Sequence, residues 1–573
     1  MGITKERSMR ELDHVIGSAR SGVPDAWHTV DWRRVHRNAR GMQVRIAKAT
    51  REGNWRKVKA LQRMLTRSLG GKLLAVRRVT ENQGKRTAGV DRVLWKGPSE
   101  KWKAVGELKR RGYRPRPLRR VFIPKSNGKK RPLGIPTMLD RAMQALHLLA
   151  LEPVVETTSD PNSYGFRSHR STHDAMSQLF VSLSQPASAR WVLEADIQGC
   201  FDHIDHDWLI SHARMDKDIL RKWLKAGTLY QGRFEDTVAG TPQGGIISPV
   251  LANVALNGLE SGLTAHLKAK LGSSKAKASK VNVVRYADDF VITGVSREGL
   301  EDEVKPWVER FLAERGLQLS AEKTRIVRMD EGFDFLGWNF RKYSEKLLIK
   351  PSKKNAQAFY RKVKEVIGSH KTVKQAELIR LLNPMLRGWA NYHSPVVAKE
   401  AFSRMEHLLF GALWRWSRRR HPRKDPTWIR KKYFSPFGDM KWVFATTVVK
   451  EDGERARLAL YSLSATPIER HRKIKGDFNP FDPTCELYGE QLQQQRMLKS
   501  MRHRKQWLAL YQSQDGRCLV CKDPITKATG WHDHHLQYKV HGGSDALTNR
   551  VLLHPLCHAQ LHCLGMSVKR LVS

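Results

Sequence analysis

The chain has 573 residues and carries 103 Lys and Arg against 56 Asp and Glu, a formal net charge of +47. With 40% hydrophobic residues, 17 Trp and 18 Phe it can bury several cores, which excludes general disorder and sets an expectation of roughly four domains. A surplus of this size needs a polyanion, and nucleic acid is the expected partner ahead of an anionic membrane surface.

Other classes fall away on the same reading. No run approaches 18 apolar residues, so no spanning helix is expected, and the first residues lack the apolar core of a secretory signal. Six cysteines in a chain this long argue against a disulfide framework and for a reducing compartment.

In chain order, residues 30 to 80 predict helices, with Val44 and Ala47, then Val58, Leu61 and Leu65, at three- and four-residue spacing among Arg and Lys. Such a basic face is either simply solvated or grips RNA, and the total charge favours the second. Gly70-Gly71 closes the segment, and Asn82-Gln83-Gly84 with Gly89 marks a loop. Arg119 to Pro124 and Arg131 to Ile135 flank Asn127-Gly128, which predicts a hairpin, followed by an amphipathic helix over 138–156. Gly272 to Lys280 is polar and predicts a surface loop.

Residues 341 to 450 hold 26 Lys and Arg against 7 Asp and Glu, a net of +19. Trp389, Trp414, Trp416, Trp428 and Trp442 are interleaved with these cations. Aromatics among cations suit RNA, whose bases stack on rings while cations meet phosphates, although any one of these Trp can equally be core. The Pro-, Gly- and Gln-rich run between about 476 and 500 reads as a linker.

Two constellations carry chemistry. Tyr286-Ala287-Asp288-Asp289-Phe290 sits between the β-rich runs 281–284 and 291–295, and the strand Trp191 to Ile197 ends on Asp196. An Asp-Asp pair alone is commonly a solvated turn. Placed at a turn between apolar strands, however, like charges repel unless a cation lies between them. If strand 191–197 lies beside the hairpin, Asp196 joins the pair, and two Mg²⁺ ions roughly 4 Å apart would suit in-line phosphoryl displacement. At the other end, Cys518 and Cys521, then His554 and Cys557, form two pairs with two intervening residues each, the layout of a tetrahedral structural zinc. Cys563 stands outside that pattern, and His532 and His541 read as surface residues.

The Tyr-Ala-Asp-Asp-Phe segment resembles the signature of reverse transcriptases, and its surroundings are similar in block order to the group II intron reverse transcriptases, the intron-encoded maturases. Asn82 to Lys85 with Ala88 to Asp91, Ile123 to Lys125 through Arg131 to Pro136, Ser163 to Arg167, Asp196 to Asp202, Gly240 to Gly245, Gly316-Leu317 through Glu322-Lys323-Thr324, and Phe335 to Trp338 supply the blocks over roughly 80–400. Pro384 to Tyr392 resembles the thumb, called domain X in maturases.

The resemblance implies that Asp196, Asp288 and Asp289 hold the metals, with the Ile197 backbone beside the second ion. It implies Lys125 and Arg131 on the incoming triphosphate, Phe201 as the block against a ribose 2′-hydroxyl, Gln243 lining the nucleotide pocket, and Arg167 guiding nucleotide or template. Asp202 and Asp205 are expected to serve structure near the site. The C-terminal pattern of His534-His535, Gly542-Gly543, Asn549, and Cys557-His558 through His562 resembles an HNH endonuclease. By that resemblance His534, His558 and His562 hold a catalytic divalent ion, His535 is the general base, and Asn549 orients the loop that carries it.

The expected fold is α+β and multidomain: a right-hand polymerase with fingers, a palm built on an antiparallel catalytic sheet and a helical thumb, ending in a ββα-metal HNH domain. The expected divisions are a basic helical extension over 1–80, fingers and palm over 81–340, thumb or domain X over 341–440, a DNA-binding region and linker over 441–504, and the HNH endonuclease with its zinc over 505–573. The implied protein polymerises dNTPs on an RNA template, binds its intron RNA, assists splicing, and nicks target DNA for target-primed reverse transcription. No membrane partner is expected. The compartment would be reducing, bacterial cytoplasm or nucleoid, or else an organelle. A splicing cofactor with vestigial catalysis, or a reverse transcriptase of another lineage, are the rival readings.

Overall fold

The computed structural model describes residues 26–124, 128, 130–241, 244–437, 440–449, 453–501, 504–538, 541–565 and 568. The helical spacing of the basic extension becomes three helices, Trp32–Arg51, Trp55–Arg67 and Leu69–Glu81. Each starts on a polar cap: the side chains of Asp31, Asn54 and Ser68 accept the N–H groups of Arg34, Lys57 and Gly71. Val35, Ile46, Val58, Leu61 and Leu65 are buried in one core with the helix Met138–Thr158. That helix is not the amphipathic one expected. Sixteen of its 21 residues are buried, Asp140, Arg141, Gln144, His147 and Glu156 among them, so it is covered nearly all round and serves as a central post.

Eight strands build the next layer: β1 (Leu118–Pro124), β2 (Lys130–Ile135), β3 (Trp191–Asp196), β4 (Thr228–Tyr230), β5 (Arg233–Glu235), β6 (Val283–Tyr286), β7 (Asp289–Gly294) and β8 (Arg325–Arg328). The first sheet runs β2-β1-β4-β5, with the expected hairpin of β1 and β2 at its edge. The second runs β6-β7-β3-β8 and is antiparallel throughout. Its strands are apolar on both faces (Val192, Leu193, Val283, Val284, Val291 and Ile292 are all buried), so the sheet is covered on both sides.

Three strands, β9 (Phe333–Phe335), β10 (Trp338–Tyr343) and β11 (Lys346–Pro351), lead from this layer into a helical unit of Lys353–Ser369, Gln375–His393 and Lys399–Arg420. The β9–β10 turn is two residues, Leu336 and Gly337, both at positive φ (51° and 85°), as a tight hairpin requires. Trp338, fully buried, stacks on Tyr392 with ring centroids 4.5 Å apart and locks the hairpin to the second of these helices.

Three further expectations need correction. Gly70-Gly71 does not close the helical segment but lies in the first turn of the helix Leu69–Glu81, where the Ser68 side chain accepts the Gly71 N–H. The segment Gly272 to Lys280 is not a loop: the helix Leu259–Ala278 breaks only at Gly272 (φ 78°, ψ 157°) and resumes, because Lys and Ala there have good helix propensity. Nor is 476–500 a free linker. It contains the helix Glu486–Met501, and the stretch before it is strapped to the palm. Asn479 donates to Thr157 Oγ1 at 3.0 Å, and Arg170 donates to the Phe478 carbonyl at 2.9 Å. The buried Asp174 carboxylate faces His471 (2.9 Å), the Ile474 N–H (2.9 Å) and Arg496 (3.1 Å). Composition alone cannot show that polar side chains of a segment meet a buried acid 300 residues away.

Between these parts, β12 (Phe434–Phe437), β13 (Met440–Val449) and β14 (Arg455–Ala459) form a sheet against the helix Gln375–His393. The C-terminal module combines the helix Lys505–Ser513, the two-stranded sheet of β15 (His532–His535) and β16 (Arg550–Leu553), and the helix Pro555–Leu564 around its own small core. Gln560 on the last helix donates to the His28 and Val30 carbonyls at 2.8 and 3.0 Å, which docks this module on the N-terminal extension. Among the described residues no helix is long and apolar enough to cross a membrane.

Candidate active sites

Sheet register builds the first site. Asp196 ends β3 directly opposite Asp289 at the start of β7, and Asp288 occupies the two-residue turn that joins β6 to β7. Ala287, the other turn residue, is held at φ 59°, a conformation disfavoured for a residue with a Cβ. What holds it is the chain from Ser163 to Gly165. Ser163 bridges Arg285, Tyr164 N–H donates to the Arg285 carbonyl at 2.9 Å, and a Cβ on Gly165 would lie 2.2 Å from the Ala287 nitrogen. Only glycine permits that approach. Beneath the turn the fully buried Arg285 donates to the Ala287 carbonyl and to Asn253 Oδ1, at 3.2 and 3.1 Å. Asn253 in turn donates to the Gly165 carbonyl at 2.9 Å.

Three carboxylates converge here. Burial, together with Asp288 and Asp196 close by, pushes the Asp289 carboxyl up to about 7, and burial with Asp196 raises Asp288. Lys323 forms an ion pair with Asp196 and lowers Asp289, while Arg131 on β2 lowers Asp288. Lys323 lies in the Glu322-Lys323-Thr324 block and was not among the expected site residues. Its nearness to Asp196 follows from β8 pairing beside β3, which spacing alone does not give. All-oxygen donors that repel one another fit hard divalent cations such as Mg²⁺. Ile197 is buried next to this cluster, its backbone bridged to Leu319, while the Asp196 carbonyl accepts the Ser320 N–H at 2.8 Å.

Around the carboxylates, Phe201 is buried on the short helix Cys200–His203, and its ring meets Phe166 edge-on at 6.1 Å. The Phe201 carbonyl accepts the Thr241 N–H at 2.6 Å, so the glycine loop from Gly240 docks against it. Gln144 on the central helix holds the far end of that loop by accepting the Ile246 N–H at 2.9 Å. Lys125 and Gln243 lie outside the described residues. Arg167 departs from its expected role. Its guanidinium is buried, fork-on with Glu156 at 2.8 and 2.9 Å, and spends its remaining contacts on the Asp160 and Ser163 carbonyls, so it braces the block rather than reaching nucleotide or template. Asp205 caps the helix His206–His212 by accepting the Trp208 N–H.

The second site is in the C-terminal module. Cys518, Cys521, His554 and Cys557 are buried and bring their ligand atoms within 4.8 Å of one another. Three thiols and an imidazole in that arrangement fit zinc. On the neighbouring face, His534 from β15 and His558 and His562, one turn apart on the final helix, likewise converge within 4.8 Å. His535 points to the other side of β15, with Nε2 2.8 Å from Asp545 Oδ1. Asn549 exchanges two hydrogen bonds with the Gln537 backbone, at 2.8 and 3.0 Å, and so ties down the chain just past His535. His532 is exposed, as expected of a surface residue, and strand alternation puts it on the face of His534, with its ring 5.1 Å from that of His558.

The interleaved tryptophans divide. Trp389 and Trp416 are core, Trp414 and Trp428 are half-buried, and Trp442 is 49% exposed with Arg430 over its ring at 5.2 Å.

Comparison with known proteins matches four stretches of the chain to known families. Residues 123–340 match the family described as reverse transcriptase (RNA-dependent DNA polymerase), and 27–108 match the N-terminal domain of reverse transcriptase. Residues 356–434 match the group II intron maturase-specific domain, and 518–563 match the HNH endonuclease. Over 262 residues the chain is 37% identical to Protein YkfC of Escherichia coli K12, covering 39% of this chain and 67% of that protein. It is 33% identical over 331 residues to the group II intron-encoded protein LtrA of Lactococcus lactis subsp. cremoris, covering 47% of this chain and 54% of LtrA. A 91 kDa protein in the cob intron of Schizosaccharomyces pombe is 30% identical over 321 residues, 39% of its length. With the palm carboxylates, the maturase-type helices and the histidine cluster all on one polypeptide, the chain belongs to the group II intron-encoded reverse transcriptase and maturase family, in the form that carries a C-terminal HNH domain.

Proposed function

We propose that this protein is an RNA-directed DNA polymerase that binds its intron RNA, assists splicing, and inserts the intron into DNA by nicking a target strand and extending the exposed 3′ end. The observation that carries the reading is the convergence of Asp196, Asp288 and Asp289 at one corner of the antiparallel sheet.

In the polymerase, the three carboxylates would hold two Mg²⁺ ions, which supply charge neutralisation at the attacking and leaving oxygens. The chain's own residues would do the rest. Arg131 and Lys125, at the fingers hairpin, would clamp the triphosphate as cations. Phe201 would wall the sugar pocket against a 2′-hydroxyl, and Gln243 would line the base side. Arg285, Asn253 and Gly165 keep the Asp288 turn in its unusual conformation.

In the nuclease, His534, His558 and His562 would hold one divalent ion, which polarises the scissile phosphate. His535 would take a proton from water, and zinc on Cys518, Cys521, His554 and Cys557 would fix the module's fold. RNA would meet the basic helices and the Trp442 surface through phosphate contacts and stacking.

Asp288→Ala tests this reading. It should abolish cDNA synthesis while intron RNA binding, splicing assistance and DNA nicking continue. A wild-type protein that supports splicing but makes no cDNA would favour a splicing cofactor with vestigial catalysis instead.

A further inference from the structure

The cluster of histidines in the C-terminal module has an outer layer as well as an inner one. His558 Nε2 and His562 Nε2 lie 3.2 Å from each other, both turned toward the point that His534 also faces. Their other ring nitrogens point away from it. His558 Nδ1 lies 3.4 Å from His532 Nδ1, and His562 Nδ1 lies 3.3 Å from the Tyr538 hydroxyl. Tyr538 also covers two of the three rings, stacked on His562 at 5.5 Å and edge-on to His534 at 5.6 Å. A neutral imidazole that gives one nitrogen to a metal carries its proton on the other, and that N–H needs an acceptor to fix the tautomer and the ring angle.

We propose that His532 and Tyr538 are the positioning residues of the nuclease metal centre: they accept the Nδ1–H groups of His558 and His562 and so commit both Nε2 atoms to the ion. The proposal rests on reading His534, His558 and His562 as ligands. It adds that the site's affinity and geometry are set by a strand residue two positions before the first ligand and by a tyrosine four positions after it. His532 is exposed and Tyr538 half-buried, so neither is needed by the module's core.

The test uses the full-length protein and Mn²⁺ alone, followed by its nitrogen hyperfine coupling to imidazole. That signal separates histidine-bound ion from ion held by the palm carboxylates. His532→Ala and Tyr538→Phe should each weaken the nitrogen-coupled Mn²⁺ about 10- to 100-fold. His532→Asn, which restores an acceptor, should recover most of that loss. Zinc content and DNA affinity should not change. The proposal is overturned if both variants bind Mn²⁺ within twofold of wild type while His562→Ala loses the nitrogen-coupled signal. If His562→Ala keeps the signal, the three-histidine site itself falls, and the proposal with it.

Discussion

Asp174 couples the polymerase to the strap around 471–474 and to the helix Glu486–Met501. Its carboxylate is fully buried at the start of the helix Thr172–Leu183, and it takes His471, the Ile474 N–H and Arg496 from the strap and the helix Glu486–Met501. Burial alone would raise this carboxyl, but the His471 and Arg496 contacts outweigh it and hold the group at about 2. Relative to an ordinary aspartate near 4, that is about 2.5 kcal/mol of interaction at neutral pH. Because the folded value is depressed, the contribution is present above pH 4 and is lost as pH falls from about 4 toward 2. Asp174→Ala goes further, since it leaves Arg496 and His471 facing a hole, and breaking a buried pair in this way costs about 3–5 kcal/mol. The expected readout is local. Amide hydrogen exchange across 471–496 should speed up on the order of 100-fold or more, while β3 and β7 keep their protection and primer extension continues. Unchanged exchange in 471–496 would refute the idea that this acid pins the strap.

Other consequences are open to measurement. With Asp289 near 7, an ion entering the palm must displace its proton below neutrality, so the Mg²⁺ concentration for half-maximal polymerisation should rise roughly tenfold from pH 8 to pH 6; a flat profile would contradict the crowding of the three acids. Lys323→Met removes a cation that lowers Asp289 and should move that profile to higher pH. Cys518→Ser should lose one zinc per chain by elemental analysis and unfold the C-terminal module, with cDNA synthesis by the palm preserved. Trp442→Ala should weaken RNA binding with little change in melting temperature, whereas Trp389→Ala should cost about 3–5 kcal/mol of stability as a core truncation.

The parts of this architecture legible in the amino-acid sequence are those in which a local pattern and a chemical need coincide. The acid pair between two β-rich runs is one case, because a two-residue turn forces Asp288 and Asp289 to one end of a sheet. The two pairs Cys518 and Cys521, His554 and Cys557, which the fold brings into one buried cluster, are another. What stayed hidden depends on pairing across long stretches of chain. Lys323 reaches Asp196 only because β8 lies beside β3. Arg285 reads as one cation in a strand, and only the packing of 162–165 and Asn253 shows it to be the buried support of the turn. Arg167 sits in a recognisable block, yet its Glu156 partner, eleven residues upstream, turns it inward. The strap reads as a linker because its polarity is visible while its buried anchor is not. His532 was within reach, since strand alternation pairs it with His534, but alternation cannot show that a helix 26 residues on delivers His558 to the same face.

In the proposed polymerase, Asp196, Asp288 and Asp289 act as one site for copying RNA into DNA. Its most direct test is primer extension by the purified protein on an RNA template with dNTPs and Mg²⁺, comparing wild type with Asp289→Asn. Wild type should give a full-length DNA product, and Asp289→Asn should lose at least about a thousandfold, with RNA binding and DNA nicking unchanged. Extension by the Asp289→Asn protein at a rate near wild type would contradict it.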